Sequence, residues 1–390
     1  MPTENTSGPQ TGHIVVGGGI IGWSVAARLA DLGQPVTVID PGPAGPAGQS
    51  ASSRSLGWVN DAAPAPDSYH QLRRLGAARL SLAQNRSQTR FYHASGCLHW
   101  SVDGLQSQPN TALEALNETV SDAAVRLADT GQNARLINAA EAVGVEPRLD
   151  GAELGAPVLY VASDGWVDLP TLIAALSARS ADLGARTVQS PVSRLDWDGE
   201  RVTGVQTASG EHISAPSVVV ATGAGLPGLA ATADLAVPQD TTTGVTVVTD
   251  PLPAPPRIVL RAPGLMARPT PDGRLVVVAP VLEAAVSANG RVPSASVDHV
   301  LADLSRLLDT KTRLRADRVL VGPRPIPAGG LPVVGKVSNR PGLALAFSHS
   351  AATVGLVIGE LLADELVTGR PSPVLADFRP ERFAPAAFSG

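Results

Sequence analysis

The chain has 390 residues, 44% of them apolar, with 39 glycines, 34 prolines and a formal net charge of −5. That length and apolar content supply one large core or two. The mild acidity and the lack of any Lys/Arg block exclude a nucleic-acid surface built on charge. The single cysteine, Cys97, rules out an intrachain disulfide and suits a reducing compartment, so a cytoplasmic location is expected.

Met1 to Gln10 is polar with no basic segment, and the apolar run from Ile14 is broken at once by glycines. It reads as a strand and a turn, not as a signal peptide. His13 to Val16 forms the strand, and a helix follows from Ile20 to Leu32, with Gly33 as C-cap and Pro35 beyond it. Val36 to Ile39 is a second buried strand ending at Asp40. This strand–helix–strand unit has the length of a parallel crossover. Pro41 to Gly48 is a loop. Asp67 to Asn85 reads as a helix, Phe91 to Trp100 as strand-like alternation around Gly96, and Leu113 to Leu127 as another helix. A short helix starts at Ala139 to Val143.

The helix pattern returns from Pro170 to Leu183, closed by Gly184. Short strands follow at Ala185 to Val188, Val192 to Trp197 and Val202 to Thr207, with a hairpin signal at Asp198-Gly199. Ser217 to Ala221 is another buried strand, running into Thr222-Gly223. From Thr243 to Ala279 the strands are antiparallel in style, with a turn at Pro271-Asp272-Gly273. Val297 to Leu308 places five apolar residues on one helix face. The chain then gives a strand, Leu343 to Phe347, and a helix, Thr353 to Leu366. Ser348, His349, Ser350, Glu360, Asp364 and Glu365 argue against a membrane span in that apolar stretch. Nucleotide-type strands thus recur at the start, middle and end. The expected organisation is an α/β Rossmann-type domain with a parallel sheet over 1–60, 155–230 and 320–390. An α+β substrate domain with a mainly antiparallel sheet is expected over 61–154 and 231–319.

Gly17-Gly18-Gly19-Ile20-Ile21-Gly22 is a G-x-G-x-x-G motif between that first strand and helix. Gly17 permits the tight turn, Gly19 admits a diphosphate to the backbone, and Gly22 lets helix and strand pack. The helix-start N–H groups of Ile20 and Ile21 favour the diphosphate charge. Asp40 is placed to accept from ribose hydroxyls and to repel a 2′-phosphate. FAD and NAD share this fingerprint, and the motif alone does not choose between them. Metal ligation has no support, because His93 and His99 stand without companion ligands.

Four further segments carry a family likeness: Ser217 to Gly225, an ATG-type strand end; Arg318 to Gly335; Ser348 to Ala363; and Asp377 to Phe383. Together with the glycine motif they resemble the FAD-dependent amine and amino-acid oxidoreductases of the D-amino-acid oxidase and glycine oxidase (DAO) family, over Ile14 to Phe383. The resemblance implies FAD as cofactor. It places Val192 near the adenine, Ser52 and Ser53 near the diphosphate or flavin, and Thr222 and Gly223 at the adenosine half. It places His349, Ser350, Ala351, Ala352 and Thr353 beside the flavin ring at a second helix N-terminus. Ser350 and Thr353 also fit plain N-caps. Family members often carry glycine where Ala351 stands. Arg324 matches the arginine that grips the substrate carboxylate, a task suited to a planar guanidinium. With His349 it is the residue expected at the chemistry. Arg268, Trp58, Asn60 and Tyr69 are further pocket candidates, and Arg54 a phosphate contact. Arg324-Pro325 stands where sarcosine oxidase-like proteins carry a linking cysteine, so the FAD is expected to be non-covalent.

The resemblance implies oxidation of a primary or secondary amine, such as an amino acid, to an imine that water then hydrolyses. Oxidase and dehydrogenase differ in the electron acceptor, O2 or another carrier, and both stay open. An NAD-dependent Rossmann dehydrogenase and a non-catalytic flavin-binding protein are the alternatives.

Overall fold

Four residues, His13–Val16, form a strand buried along its whole length. Parallel neighbours flank it on both sides, Val36–Asp40 on one and Val218–Val220 on the other. A strand covered on both faces has no polar alternation, which is why these segments read as continuous apolar runs. In the computed structural model, which describes residues 12–43, 50–61, 64–101, 119–240, 242–310 and 313–383, this strand is central to one of two units. The first unit comprises Met1–Ser53, Leu169–Thr241 and Pro325–Gly390, and the second Arg54–Asp168 and Thr242–Arg324.

The first unit holds a six-stranded sheet. Its order is Val333–Lys336, Leu343–Phe347, Val218–Val220, His13–Val16, Val36–Asp40, Arg186–Gln189. Only the pairing of Val333–Lys336 with Leu343–Phe347 is antiparallel. A three-stranded meander, Val192–Asp198, Arg201–Thr207 and His212–Ser214, joins its core through Leu195, Val202 and Val205. The helix Ile20–Asp31 packs on the closing helix Ala351–Thr368. The contact is tight at Gly359, where an added Cβ would overlap the Ser24 side chain. Arg28 Nε donates to Asp364 Oδ1 across the same pair at 2.8 Å.

The second unit holds an eight-stranded sheet in the order Ala316–Pro323, Thr243–Thr249, Leu275–Val278, Leu265–Pro269, Val259–Ala262, Cys97–Trp100, Val158–Val161, Ala134–Ile137. All its pairings are antiparallel except Val259–Ala262 with Cys97–Trp100. One face buries Val245, Val247, Leu260, Ala267 and Val277 with Val297, Leu301 and Leu304 of the helix Ser294–Leu307. A small sheet of Trp58–Val59, Gly165–Val167 and Tyr92–His93 completes the unit.

The expected α/β class, parallel sheet and antiparallel second sheet are all present. The expected segment boundaries differ from the observed units for identifiable reasons. Residues 54–60 and 155–168 join the second unit, because Trp58–Val59 pairs with Gly165–Val167. Residues 231–241 join the first, where Gln239–Asp240 pairs with Ile326–Pro327. Residues 320–324 stay with the second, since Ala316–Pro323 pairs along its length with Thr243–Thr249. The single strand expected over 91–100 is two strands in two sheets. Gly96, at φ +81°, breaks it, and its N–H donates to the Asp164 carbonyl at 2.8 Å. The helix expected over 113–127 is observed as Val120–Asp129, opened by a reciprocal Thr119–Asp122 capping box. Residues 113–118 of that expectation, and 44–48 of the loop, lie outside the described residues.

Candidate functional site

The glycine motif forms a turn that side chains would destroy. Gly17 sits at φ +107°, and an added Cβ there would overlap the Ala221 carbonyl. A Cβ on Gly22 would overlap the Gly17 carbonyl oxygen. Gly19 differs, since an added Cβ meets nothing nearer than Ser52 Oγ at 3.4 Å. The first and last glycines are therefore consumed by the protein's own packing, and the middle one leaves open backbone at the helix start. Gly19 supplies no side-chain cap to the helix Ile20–Asp31. The N–H of Ile20 donates to Ser52 Oγ at 3.2 Å, so Ser52 stands at this helix terminus. Ser53 turns away and donates to the Ser50 carbonyl at 2.8 Å.

Asp40 closes the turn from the next strand. Its Oδ2 accepts from Gly18 N–H at 2.7 Å and its Oδ1 from Gly42 N–H at 2.8 Å. Each oxygen keeps a second lone pair for a ribose hydroxyl. From the middle strand, Thr222 meets Gly17 and starts a 3-10 turn, Gly223–Gly225, with Gly223 at φ +56°. Val192 opens the first strand of the meander.

On the far side of the sheet, Ser348 and His349 link the strand Leu343–Phe347 to the closing helix. Ser350 is its N-cap residue without a side-chain cap bond, and Ala351, Ala352 and Thr353 form its first turn. Ile20 lies against this helix at Gly355. Asp377 to Phe383 acts as a staple: Arg379 grips the buried Glu365 with two bonds of 2.8 and 2.6 Å, and Arg382 donates to the Leu331 carbonyl at 2.7 Å.

Among the described residues, Trp23 Nε1, Thr222 Oγ1 and Ser348 Oγ are buried polar atoms without a partner, all in this unit. Buried polar groups are almost always hydrogen-bonded, and these three, unlike other unpartnered atoms of the unit such as His13 Nδ1 and Asn339 Oδ1, belong to the glycine-motif helix and the two strand ends named above, where a ligand would complete the set. Trp23 Nε1 stands beside Gly18 and Asp40. A dinucleotide with a diphosphate, ribose hydroxyls and a polar ring edge fits these donors and this backbone.

In the second unit, Arg324 follows the strand Ala316–Pro323. Its guanidinium already carries a carboxylate: Nη1 donates to Glu283 Oε2 at 2.8 Å and Nη2 to Glu283 Oε1. Arg268 is 5% exposed. It donates from Nε to the Leu56 carbonyl and from Nη1 to the Pro269 carbonyl, and lies over the Trp166 ring at 4.6 Å. Burial lowers its pKa to about 10, against the raising effect of Asp168. Trp166 stacks on His93 with 3.7 Å between centroids. Burial, with the charges of Arg90 and Arg268, holds His93 down at about 4 against the raising effect of Asp168. This imidazole is neutral at pH 7.

Trp58 donates from Nε1 to Asp164 Oδ2 at 3.1 Å, and Arg261 lies over its ring at 5.6 Å. Burial pushes Asp164 up to about 8, with the Asp61 charge adding, and with the Trp58 bond and Arg261 opposing. Asn60 follows this strand in the loop before the helix Asp67–Asn85. Tyr69 is wholly buried in that helix beneath Arg73, 4.2 Å from its ring, in a core-packing environment. Arg54 donates from Nη1 to the Val321 carbonyl at 2.7 Å within the second unit.

Sequence reasoning did not single out Glu283, Asp164 or Trp23, and gave His93 and Ser348 no place in the site. Glu283, Asp164 and His93 belong to no short motif. Glu283 meets Arg324 across 41 positions of chain, and Asp164 meets Trp58 across 106.

The profile of the family described as "FAD dependent oxidoreductase" matches residues 13–365. Glycine oxidase of Geobacillus kaustophilus is 26% identical over 362 residues, 90% of this chain and 91% of that protein. D-amino acid dehydrogenase of Methylobacterium sp. is 26% identical over 426 residues, 96% of this chain and 99% of that protein. The crystal structure of the Geobacillus glycine oxidase superposes with a TM-score of 0.80 at 24% identity, covering 96% of this chain and 99% of that one.

Proposed function

We propose that this chain, which belongs to the FAD dependent oxidoreductase family, oxidises the C–N bond of an amine or amino acid to an imine, which water hydrolyses. The observation that carries the reading is the cradle in the first unit: a turn whose outer glycines are closed by protein while Gly19 and the helix start stay open. FAD, when bound, supplies the hydride acceptor and thus the hard chemistry.

The chain supplies binding and orientation. Gly17 and Gly22 shape the turn, and Gly19 with the helix-start N–H groups of Ile20 and Ile21 holds the diphosphate by backbone, with Ser52 at the helix terminus. Asp40 takes the ribose, Thr222, Gly223 and Val192 the adenosine half, and Ser350 to Thr353 the flavin side. A helix N-terminus near the ring edge favours negative charge there. His349 stands at that terminus and contributes to the substrate side. Trp58 and Arg268 offer an aromatic face and a cation, and Asn60 an amide, in the substrate unit. A neutral amine is required for loss of hydride from the adjacent carbon, and the electrons pass on to O2 or another acceptor. The cofactor is non-covalent, a reading supported by Cys97, which is 1% exposed with its thiol pushed up by burial. The lone cysteine fits a cytoplasmic enzyme.

The test is the visible spectrum of the purified protein, followed by acid denaturation and anaerobic exposure to D- and L-amino acids and N-methyl amines. A two-banded flavin spectrum, release of all colour into the supernatant and bleaching by an amine are expected. A colourless protein that takes up no FAD removes the reading. Colour left in the pellet removes its non-covalent part.

A further inference from the structure

The Arg324–Glu283 pair has the geometry of a guanidinium holding a ligand carboxylate, but the carboxylate belongs to the protein. Both terminal nitrogens donate, one to each oxygen, and the two side chains are only 16% and 18% exposed. Both ends of the pair are fixed. The Arg324 N–H donates to the Thr242 carbonyl at 3.0 Å. Gly244 makes room for its stem, because an added Cβ there would lie 3.2 Å from Arg324 Nε and 3.3 Å from Cγ. Glu283 sits on the short helix Pro280–Ala284, seated by Leu282, which is wholly buried in the core.

We propose that Glu283 determines the substrate class: by capping Arg324 it excludes amines that carry a carboxylate beside the nitrogen and selects amines that lack one. This rests on the amine-oxidation reading above and on Arg324 as the substrate-carboxylate anchor that the family resemblance implies. The two-bond fork of an arginine accepts one carboxylate at a time. A substrate carboxylate would have to expel Glu283 and leave it unpaired where little water reaches it, a cost that weakens such ligands. An amine without a carboxylate meets no such cost. Selection of this kind works by a penalty on the wrong ligand and needs no new contact to the right one.

The test uses the FAD-loaded enzyme, its Glu283→Gln and Glu283→Asp variants and the double variant Glu283→Gln/Arg324→Met. Benzoate binding is measured by calorimetry, and anaerobic flavin reduction is compared for phenylalanine of either hand and for phenethylamine. Glu283→Gln is expected to bind benzoate about tenfold tighter than the wild type, the scale of one charge-assisted hydrogen bond. The double variant loses that gain. The kcat/KM ratio of phenylalanine to phenethylamine rises by a similar factor in Glu283→Gln. Glu283→Asp keeps the charge but retracts it by one carbon, and gives part of the same shift should the glutamine variant not fold. Equal benzoate affinity in the wild type and both single variants overturns the proposal. So does a wild type that prefers phenylalanine with a ratio no variant alters. If no amine bleaches any of the four proteins, the amine-oxidation reading fails instead, while the benzoate titration still reports on Glu283.

Discussion

The two units build their candidate sites from opposite materials. In the first, the site is made by side chains that are missing: glycines at 17, 19 and 22 and exposed backbone at a helix start, with one short-range acid, Asp40. In the second it is made by side chains that meet over distance: Arg324 with Glu283, Trp58 with Asp164, and Arg268 with the Leu56 carbonyl. At Gly17 and Gly22 the first tolerates no added atom. A site of buried charges tolerates reshaping but responds to every change in ionisation. Each unit is therefore vulnerable in its own way.

The largest effect is expected in the glycine turn. Gly22→Ala places a methyl on the Gly17 carbonyl, and overpacking of this kind costs about 1–3 kcal/mol or more. The purified variant should carry almost no flavin and melt well below the wild type. Gly19→Ala should melt like the wild-type apoprotein and still retain little FAD, because its methyl fills cofactor space alone. If Gly22→Ala keeps a full complement of flavin, the backbone-site description of the first unit fails.

A charged pair also supports the first unit, away from the glycine turn. Arg379→Met strands Glu365, which is 4% exposed. Breaking such a pair costs about 3 kcal/mol, read as a lowered urea midpoint. An unchanged midpoint would make the closing segment dispensable.

Asp164 sharpens the other side. Its folded pKa, raised to about 8 by burial, lies above the ordinary carboxylate value. Between about pH 4 and pH 8 the folded protein therefore holds the proton more tightly than the unfolded chain. Stability then falls as pH rises through that window, by at most about 1.4 kcal/mol per pH unit. Asp164→Asn keeps an acceptor for Trp58 and should flatten that slope in denaturant titrations at several pH values. A slope equal to that of the wild type would mean that Asp164 does not carry it. The smallest effect belongs to Asp31→Asn. It breaks a pair with Arg179, whose side chain is 63% exposed, and should shift stability by less than about 1 kcal/mol.

The same contrast explains how much of the molecule is legible in its sequence. The strand–helix–strand unit and Asp40 lie within 28 residues, so period, punctuation and motif spacing suffice. The distant ATG-type strand end and the closing helix are legible only through family likeness, and Thr222 does meet Gly17. Segment boundaries slip where short strands decide them, as with Trp58–Val59, because two residues carry no periodicity. Family likeness offers Arg324 as an anchor for a substrate carboxylate, and the protein carboxylate it holds, Glu283, is not legible at all. Glu283 lies on a five-residue helix with no pattern to mark it, and only folding brings it to the guanidinium.

The close packing of Gly359 on Ser24 also has a consequence for how the protein is made. At the ribosome's pace of roughly 5–20 residues per second, the glycine turn emerges long before the helix that covers it. The helix Ile20–Asp31 waits, its packing face uncovered, for the much later helix Ala351–Thr368. A stop codon before residue 351 would leave the helix Ile20–Asp31 without the helix that packs on it.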